Sequence, residues 1–130
     1  IPVMGHLGLL PQTAKGKFKS KGRSDKEKKQ LISDALLLQN NGVFAIVIEC
    51  VRTSTAKEIT RSLKIPTIGI GSSVFCDGQV LVTDDLLGLN NSNIRFVKRF
   101  IDIKKYINLG LRKFMSEVKS KKYPSKKYSY

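Results

Sequence analysis

The segment FAIVIECV, residues 44–51, is apolar at every position except Glu49. A continuous apolar run rich in β-branched residues is typical of a parallel strand that is covered on both faces. An ionised carboxylate is costly in such a place unless it is paired or lies where solvent or a ligand reaches it. The segment therefore predicts a buried strand whose single carboxylate, near the end of the run, needs a chemical explanation.

Upstream of this strand, IPVMGHL (1–7) predicts another strand, and SDKE (24–27) has the form of a capping box with Ser24 as N-cap. The helix that follows ends at NNG (40–42), where Gly42 suits the left-handed conformation found after helices. Its apolar residues recur with helical spacing, and the predicted buried face contains Leu31, Ala35 and Leu38.

Downstream, TAKE (55–58) predicts a second capping box and a short helix with Ile59 and Leu63 on its apolar face. IPTIGIG (65–71) and QVLVTDD (79–85) predict two further strands. A long amphipathic stretch then predicts a helix from Ile94 to about Lys119. This order of elements is the signature of an α/β fold with a parallel sheet.

Polar or glycine residues stand at the carboxyl end of each predicted strand. In α/β folds the ligand binds at this rim of the sheet, so the rim is the predicted functional site. The candidates are His6, Glu49, the turn Gly69-Ile70-Gly71-Ser72-Ser73, and the pair Asp84 and Asp85.

Each candidate has a functional and a structural interpretation. Glu49 is either a general base or a carboxylate that caps the following turn, and His6 is either a substrate contact or a hydrogen-bonded spacer. The glycine turn is either a phosphate-binding nest or, as we favour, a site of close backbone packing. Asp84 and Asp85 are candidate metal ligands, but as neighbours on a strand they would point to opposite faces, so at most one faces the rim. Cys50 is predicted to point away from the rim into the packed interior.

The formal net charge of +14 is concentrated in two regions. Residues 15–29 hold eight Lys or Arg against two acids and residues 95–130 hold twelve against two, whereas residues 30–94 hold four against six. Lysines outnumber arginines 18 to 6, which favours a solvated surface over a nucleic-acid interface, where Arg is usually enriched. A basic module that binds nucleic acid or an acidic surface remains the alternative function.

Two cysteines without zinc-site spacing indicate a reducing, cytoplasmic location. No apolar run approaches the ~18 residues of a membrane span. The chain begins with Ile1 rather than Met. Of three interpretations, a fragment, a split gene whose halves assemble, and a decaying remnant, this start favours a fragment or an upstream partner.

Several motifs, in their order, resemble the second half of the ketopantoate hydroxymethyltransferase family. The resemblance runs from Ile1 to about residue 118. The matching segments are IPVMGHLGLLPQ (1–12), SDALLLQNNGVFAIVIECV (33–51), AKEITRSLKIPTIGIGSS (56–73), CDGQVLVTDDLLGL (76–89) and RFVKRF (95–100).

The resemblance implies a (βα)8 TIM barrel of which this chain supplies about strands five to eight, with residues 1–120 as the half barrel and 121–130 as a basic tail. It implies transfer of a hydroxymethyl group from 5,10-methylenetetrahydrofolate to 3-methyl-2-oxobutanoate, giving 2-dehydropantoate for pantothenate biosynthesis. Glu49 would be the proton acceptor and His6 a substrate-binding residue. Mg²⁺ would stabilise the enolate as a Lewis acid.

The chain also departs from the family pattern. It lacks D-S-L-G-like motifs of the first four strands, so the resemblance implies no metal ligand in this chain and an N-terminal half of the barrel as partner. The family's glycine-rich loop is replaced by KGKFKSKGR (15–23), and Asp84 stands where the family has histidine. The resemblance further implies a homo-oligomer, and we expect no activity from the isolated chain.

Overall fold

Four parallel strands form one sheet in the order β1-β2-β3-β4. The structure is a computed structural model that describes residues 1–10 and 19–130, and it divides the chain into two units, Ile1–Leu81 and Val82–Tyr130. In the first unit the strands are β1 (Met4–Gly8), β2 (Ala45–Glu49), β3 (Thr67–Ile70) and β4 (Gly78–Gln79), and the helices are α1 (Asp25–Asn40) and α2 (Thr53–Ser62). The second unit contains α3 (Thr83–Leu86), α4 (Ile103–Lys119) and a short 3-10 helix (Lys126–Tyr128).

One face of the sheet packs against the helices and forms the core. Ile46 and Ile48 of β2 and Ile59 of α2 are fully buried, and each contributes about 1.5–3 kcal/mol through removal of its side chain from water. The predicted apolar face of α1 joins the same cluster through Leu31 and Ala35. The prediction of an α/β fold with a parallel sheet is therefore confirmed, and the architecture is consistent with a fragment of a TIM barrel.

The opposite face of the sheet carries the alternate residues of the same strands. Ala45 on this face is buried. The other side chains of the face, unlike Ile46 and Ile48, are only partly buried or are exposed, namely Met4, His6, Val47, Glu49, Ile68 and Ile70. In a TIM barrel the corresponding face is filled by side chains from the other strands. The assignment of this sheet to strands five to eight remains a prediction.

The two predicted capping boxes have different outcomes. Ser24 caps α1 by accepting a hydrogen bond from the amide of Glu27 at 3.2 Å, while the Glu27 carboxylate accepts from the amide of Arg23 at 3.0 Å. The box at 55–58 is wrong, because α2 begins at Thr53 without a side-chain cap. The hydroxyl of Thr55 instead donates to the carbonyl of Gly22 at 3.0 Å, tying the segment before α1 to α2.

The predicted strand at 79–85 is also wrong over most of its length. Only Gly78–Gln79 pair with β3, and Thr83–Leu86 form α3. Edge strand β4 pairs on one side only, so little holds its sequence extended, and acidic residues favour the first turn of a helix. Asp84 and Asp85 therefore lie in the first turn of α3, not on a strand.

The last helix is shorter than its amphipathic pattern predicts. α4 begins at Ile103 rather than Ile94, because the amides of Phe100 and Ile103 donate to the carbonyls of Leu86 and Leu87 and attach this segment to α3. α4 has no buried residue. Beyond its end, Tyr123 packs edge-on against Phe114 with ring centroids 5.5 Å apart. The division at 120/121 is not tested and remains a prediction. Part of the basic loop 15–23, residues 15–18, lies outside the described residues.

Asp77 joins the start of β4 to the start of β3. Its Oδ2 accepts hydrogen bonds from the amide and the hydroxyl of Thr67 at 2.8 and 2.9 Å, and these bonds hold the pKa of Asp77 below its usual value of 3.8. A carboxylate with a lowered pKa stabilises the fold above its unfolded pKa, and that contribution is lost as pH falls below it.

We expect Asp77→Asn to lower the urea midpoint of the 130-residue chain at pH 7, with the difference from the original chain shrinking below about pH 3.8. A constant difference across pH 7 to pH 2 would contradict this assignment.

Candidate active site

The side chains of His6 and Glu49 meet on the partly open face of the sheet. β1 and β2 are adjacent, with Gly8 opposite Glu49 in the register, and the alternation of the strands places His6 on the same face. His6 Nε2 lies 3.1 Å from Glu49 Oε2, and the two side chains are 35% and 12% exposed. The structure thus brings together the only histidine and the carboxylate that the sequence singled out.

The backbone that carries Glu49 is fixed from three directions. The amide of Leu9 donates to the Glu49 carbonyl at 2.9 Å, the amide of Cys50 donates to the Ile70 carbonyl at 2.9 Å, and the amide of Lys21 donates to the Cys50 carbonyl at 2.8 Å. Cys50 adopts a φ of 52°, a left-handed conformation that is unfavourable for a residue with a Cβ. Such strain persists where surrounding contacts determine the conformation.

The chain bends sharply at Glu49 and Cys50, and the turn after β3 also contacts this bend. Ser72 Oγ donates to the carbonyl of Ile48 at 2.7 Å, with the carbonyl of Ile70 as a longer second acceptor at 3.4 Å, and it accepts from the amide of Val51 at 3.1 Å. The Ser72 carbonyl accepts from the hydroxyl of Thr53 at 3.1 Å. The hydroxyl and the carbonyl of Ser72 are thus engaged with protein groups, and the choice between close packing and a phosphate nest for this turn remains a prediction.

Cys50 follows Glu49 but does not share its chemistry. Its side chain is buried, and burial, followed by the nearby Glu49 carboxylate, raises the pKa of the thiol above its usual value of 9.0, while Arg23 and Lys21 act in the opposite direction. Because only the thiolate is a good nucleophile, Cys50 is not suited to covalent catalysis at neutral pH.

The capping interpretation of Glu49 finds no support in these contacts. α2, the helix that follows, begins after Arg52 without any side-chain cap hydrogen bond. Among the described residues the partner of the Glu49 carboxylate is His6, through Oε2, and no hydrogen bond to Oε1 occurs there. Of the two carboxylate oxygens of Glu49, Oε2 is therefore the one with a partner among the described residues.

Asp84 and Asp85 belong to the second unit, Val82–Tyr130. Asp85 is buried and its Oδ1 accepts from Asn90 Nδ2 at 3.4 Å. Within residues 1–10 and 19–130, no group of three or more His, Cys, Asp or Glu side chains is arranged to hold a metal ion. The metal hypothesis for this aspartate pair has no geometric support in the part of the chain that the structure describes.

Sequence comparison decides the family. A model of ketopantoate hydroxymethyltransferase matches residues 1–126. The 3-methyl-2-oxobutanoate hydroxymethyltransferase of Pelagibacter ubique is 58% identical over all 130 residues of this chain, which cover 50% of that protein. The enzymes of the same name from Bdellovibrio bacteriovorus and Pyrobaculum arsenaticum are 49% and 45% identical over 100% and 98% of the chain, covering 51% and 49% of their lengths.

This chain belongs to the ketopantoate hydroxymethyltransferase family. It spans about half the length of the curated relatives it matches. The relatives are named as transferases that act on a keto acid, so the comparisons do not favour the alternative of a nucleic-acid or acidic-surface binding module. In the part of the chain that the structure covers, no helix is both long and apolar enough for a membrane span.

Proposed function

We propose that this chain supplies the proton-accepting half of a ketopantoate hydroxymethyltransferase active site, with Glu49 as the base. The observation that carries the proposal is the His6–Glu49 contact of 3.1 Å at the carboxyl-terminal part of two adjacent parallel strands. Family membership supports transfer of a hydroxymethyl group to 3-methyl-2-oxobutanoate, and the donor of the one-carbon unit in this proposal is 5,10-methylenetetrahydrofolate.

Glu49 removes the proton from C3 of the keto acid, the carbon next to the carbonyl. The electron pair of the broken C–H bond forms a C2=C3 double bond, and the negative charge moves to the carbonyl oxygen. C3 then forms a bond to the methylene carbon of the folate, the oxygen of a water molecule bonds to the same carbon, and both of its C–N bonds break. The two freed nitrogens take up one proton from the water and the proton that Glu49 removed, so that tetrahydrofolate leaves. A positioned carboxylate accelerates such proton transfer by on the order of 10²–10⁴-fold.

His6 orients the base in this proposal. Its contact with Oε2 restrains one oxygen of the carboxylate and leaves Oε1 as the proposed proton acceptor. The imidazole is more exposed than the carboxylate, which supports a position within reach of the bound substrate. We therefore assign His6 a substrate-binding role in addition to its contact with Glu49.

Mg²⁺, when bound, would supply the positive charge that stabilises the enolate oxygen. The described residues do not fit an Mg²⁺ site by themselves, because they gather no group of three or more acidic, His or Cys side chains. We therefore place the ligands in the remaining half of the barrel, and no step assigned to this chain passes through the metal. The same half would cover the open sheet face, and a homo-oligomer of complete barrels remains a prediction.

Reconstitution tests the proposal. We define the reconstituted barrel as this chain combined with the N-terminal half of its Pelagibacter relative, either fused or co-expressed. We expect the reconstituted barrel to exchange the C3 proton of 3-methyl-2-oxobutanoate in D₂O with Mg²⁺, followed by proton NMR, and to form 2-dehydropantoate when the folate is added. The 130-residue chain alone should do neither, and exchange by the chain alone or a folded but inert reconstituted barrel would contradict the proposal.

A further inference from the structure

The position of the Ser72 hydroxyl relative to Glu49 goes beyond the role of a turn residue. Its donor bond reaches the carbonyl of Ile48, which belongs to the peptide group immediately before Glu49. The same oxygen accepts a hydrogen bond from the amide of Val51, which belongs to the peptide group after Cys50. The Ser72 oxygen, which comes from the turn after β3, thus links the peptide group before Glu49 to the peptide group after Cys50.

We propose that Ser72 is a positioning residue for Glu49. The inference rests on the proposed role of Glu49 as the base. The left-handed Cys50 lies between the two bridged peptide groups, so the direction of the Glu49 side chain depends on the bend keeping its shape. The two Ser72 bonds, at 2.7 and 3.1 Å, close a loop across that bend.

The other contacts in this region do not replace the Ser72 bridge. The amides of Leu9, Cys50 and Lys21 each make one backbone bond at one side of the bend, whereas Ser72 joins the two sides to each other. Without the hydroxyl of Ser72, the Val51 amide loses the acceptor that holds it towards the end of β3. A shift of about 1 Å in a reacting group lowers rates by as much as 10²-fold.

The test is Ser72→Ala in the reconstituted barrel, measured by C3 proton exchange. We expect kcat for exchange to fall by about 10- to 100-fold, with KM for the keto acid changed little, because geometry rather than affinity is altered. Ser72→Thr, which retains a hydroxyl, should recover most of the rate. Ser62→Ala is the matched control, since Ser62 also donates to a backbone carbonyl, that of Ile59 at 2.8 Å, but lies at the end of α2.

The outcomes separate this inference from the proposed function. If Glu49→Gln abolishes exchange while Ser72→Ala leaves kcat within about twofold of the original, positioning by Ser72 is wrong and the base assignment stands. If Glu49→Gln retains exchange, the proposed function itself is wrong. A loss of kcat in Ser72→Ala equal to that of Ser62→Ala, or no recovery with Ser72→Thr in a protein of unchanged melting temperature, would also overturn the positioning role.

Discussion

Replacement of Glu49 by Gln should reduce C3 proton exchange in the reconstituted barrel by on the order of 10²–10⁴-fold. The amide is nearly isosteric with the carboxylate but does not accept the proton, so the chemistry is lost while the shape of the site remains. The contact with His6 at 3.1 Å involves only one carboxylate oxygen, and an amide oxygen can occupy that position. Keto-acid affinity, measured by calorimetry with Mg²⁺, should therefore change little.

Glu58→Gln provides the matched control for this experiment. Glu58 pairs with Lys28 at 2.6 Å on the helical side of the sheet, and its side chain is 46% exposed. The same chemical change there should leave exchange unaltered, because surface ion pairs contribute only about 0–1 kcal/mol. An exchange rate in Glu49→Gln equal to that of Glu58→Gln would refute the assignment of Glu49 as the base.

Replacement of Gly8 by Ala should both destabilise the first unit and disturb Glu49. Gly8 has a φ of +98°, and a Cβ there would overlap the carbonyl oxygen of Glu49 and lie 2.6 Å from Cγ2 of Val51. A left-handed backbone costs about 1–3 kcal/mol for a residue with a Cβ, and overpacking adds about 1–3 kcal/mol. We expect a loss of about 3 kcal/mol or more in the free energy of unfolding.

Two other glycines separate the causes of that loss. Gly42 has a φ of +84° but no atom within 4 Å of the place that a Cβ would occupy, whereas Gly110 in α4 has open space and no such φ. Gly42→Ala should therefore show only the backbone cost of about 1–2 kcal/mol, and Gly110→Ala should be neutral or slightly stabilising. Urea unfolding of the three variants measures the order, and a Gly8→Ala loss no greater than that of Gly42→Ala would contradict the predicted overlap with Glu49.

Much of the first unit is predictable because its signals are local. The run around Ile46 and Ile48 and the helical spacing of Leu31 and Ala35 reflect burial on the sheet and helix faces, and burial follows directly from periodicity. The cap at Ser24 was predictable for the same reason. The box at 55–58 failed because the hydroxyl of Thr55 donates to Gly22, a tertiary contact that no local pattern encodes.

The errors at the end of the first unit and in the second unit arise where tertiary contacts or their absence decide the structure. β4 stops after Gln79 because it lies at the edge of the sheet, and the acidic pair that follows suits a helix start. At the site, the ends of the strands identified His6 and Glu49 as candidates. The proposed role of Ser72 has no signal in the sequence, because its bonds to Ile48 and Val51 depend on the register between β2 and β3.

The strands that carry His6 and Glu49 are neighbours in the same unit, as are the residues whose bonds fix the Glu49 bend. The proposed base and its histidine contact therefore both belong to the unit Ile1–Leu81. If this chain is paired with N-terminal halves from different relatives, each barrel receives the same proposed proton acceptor, so we expect such barrels to differ in the groups that the other half contributes.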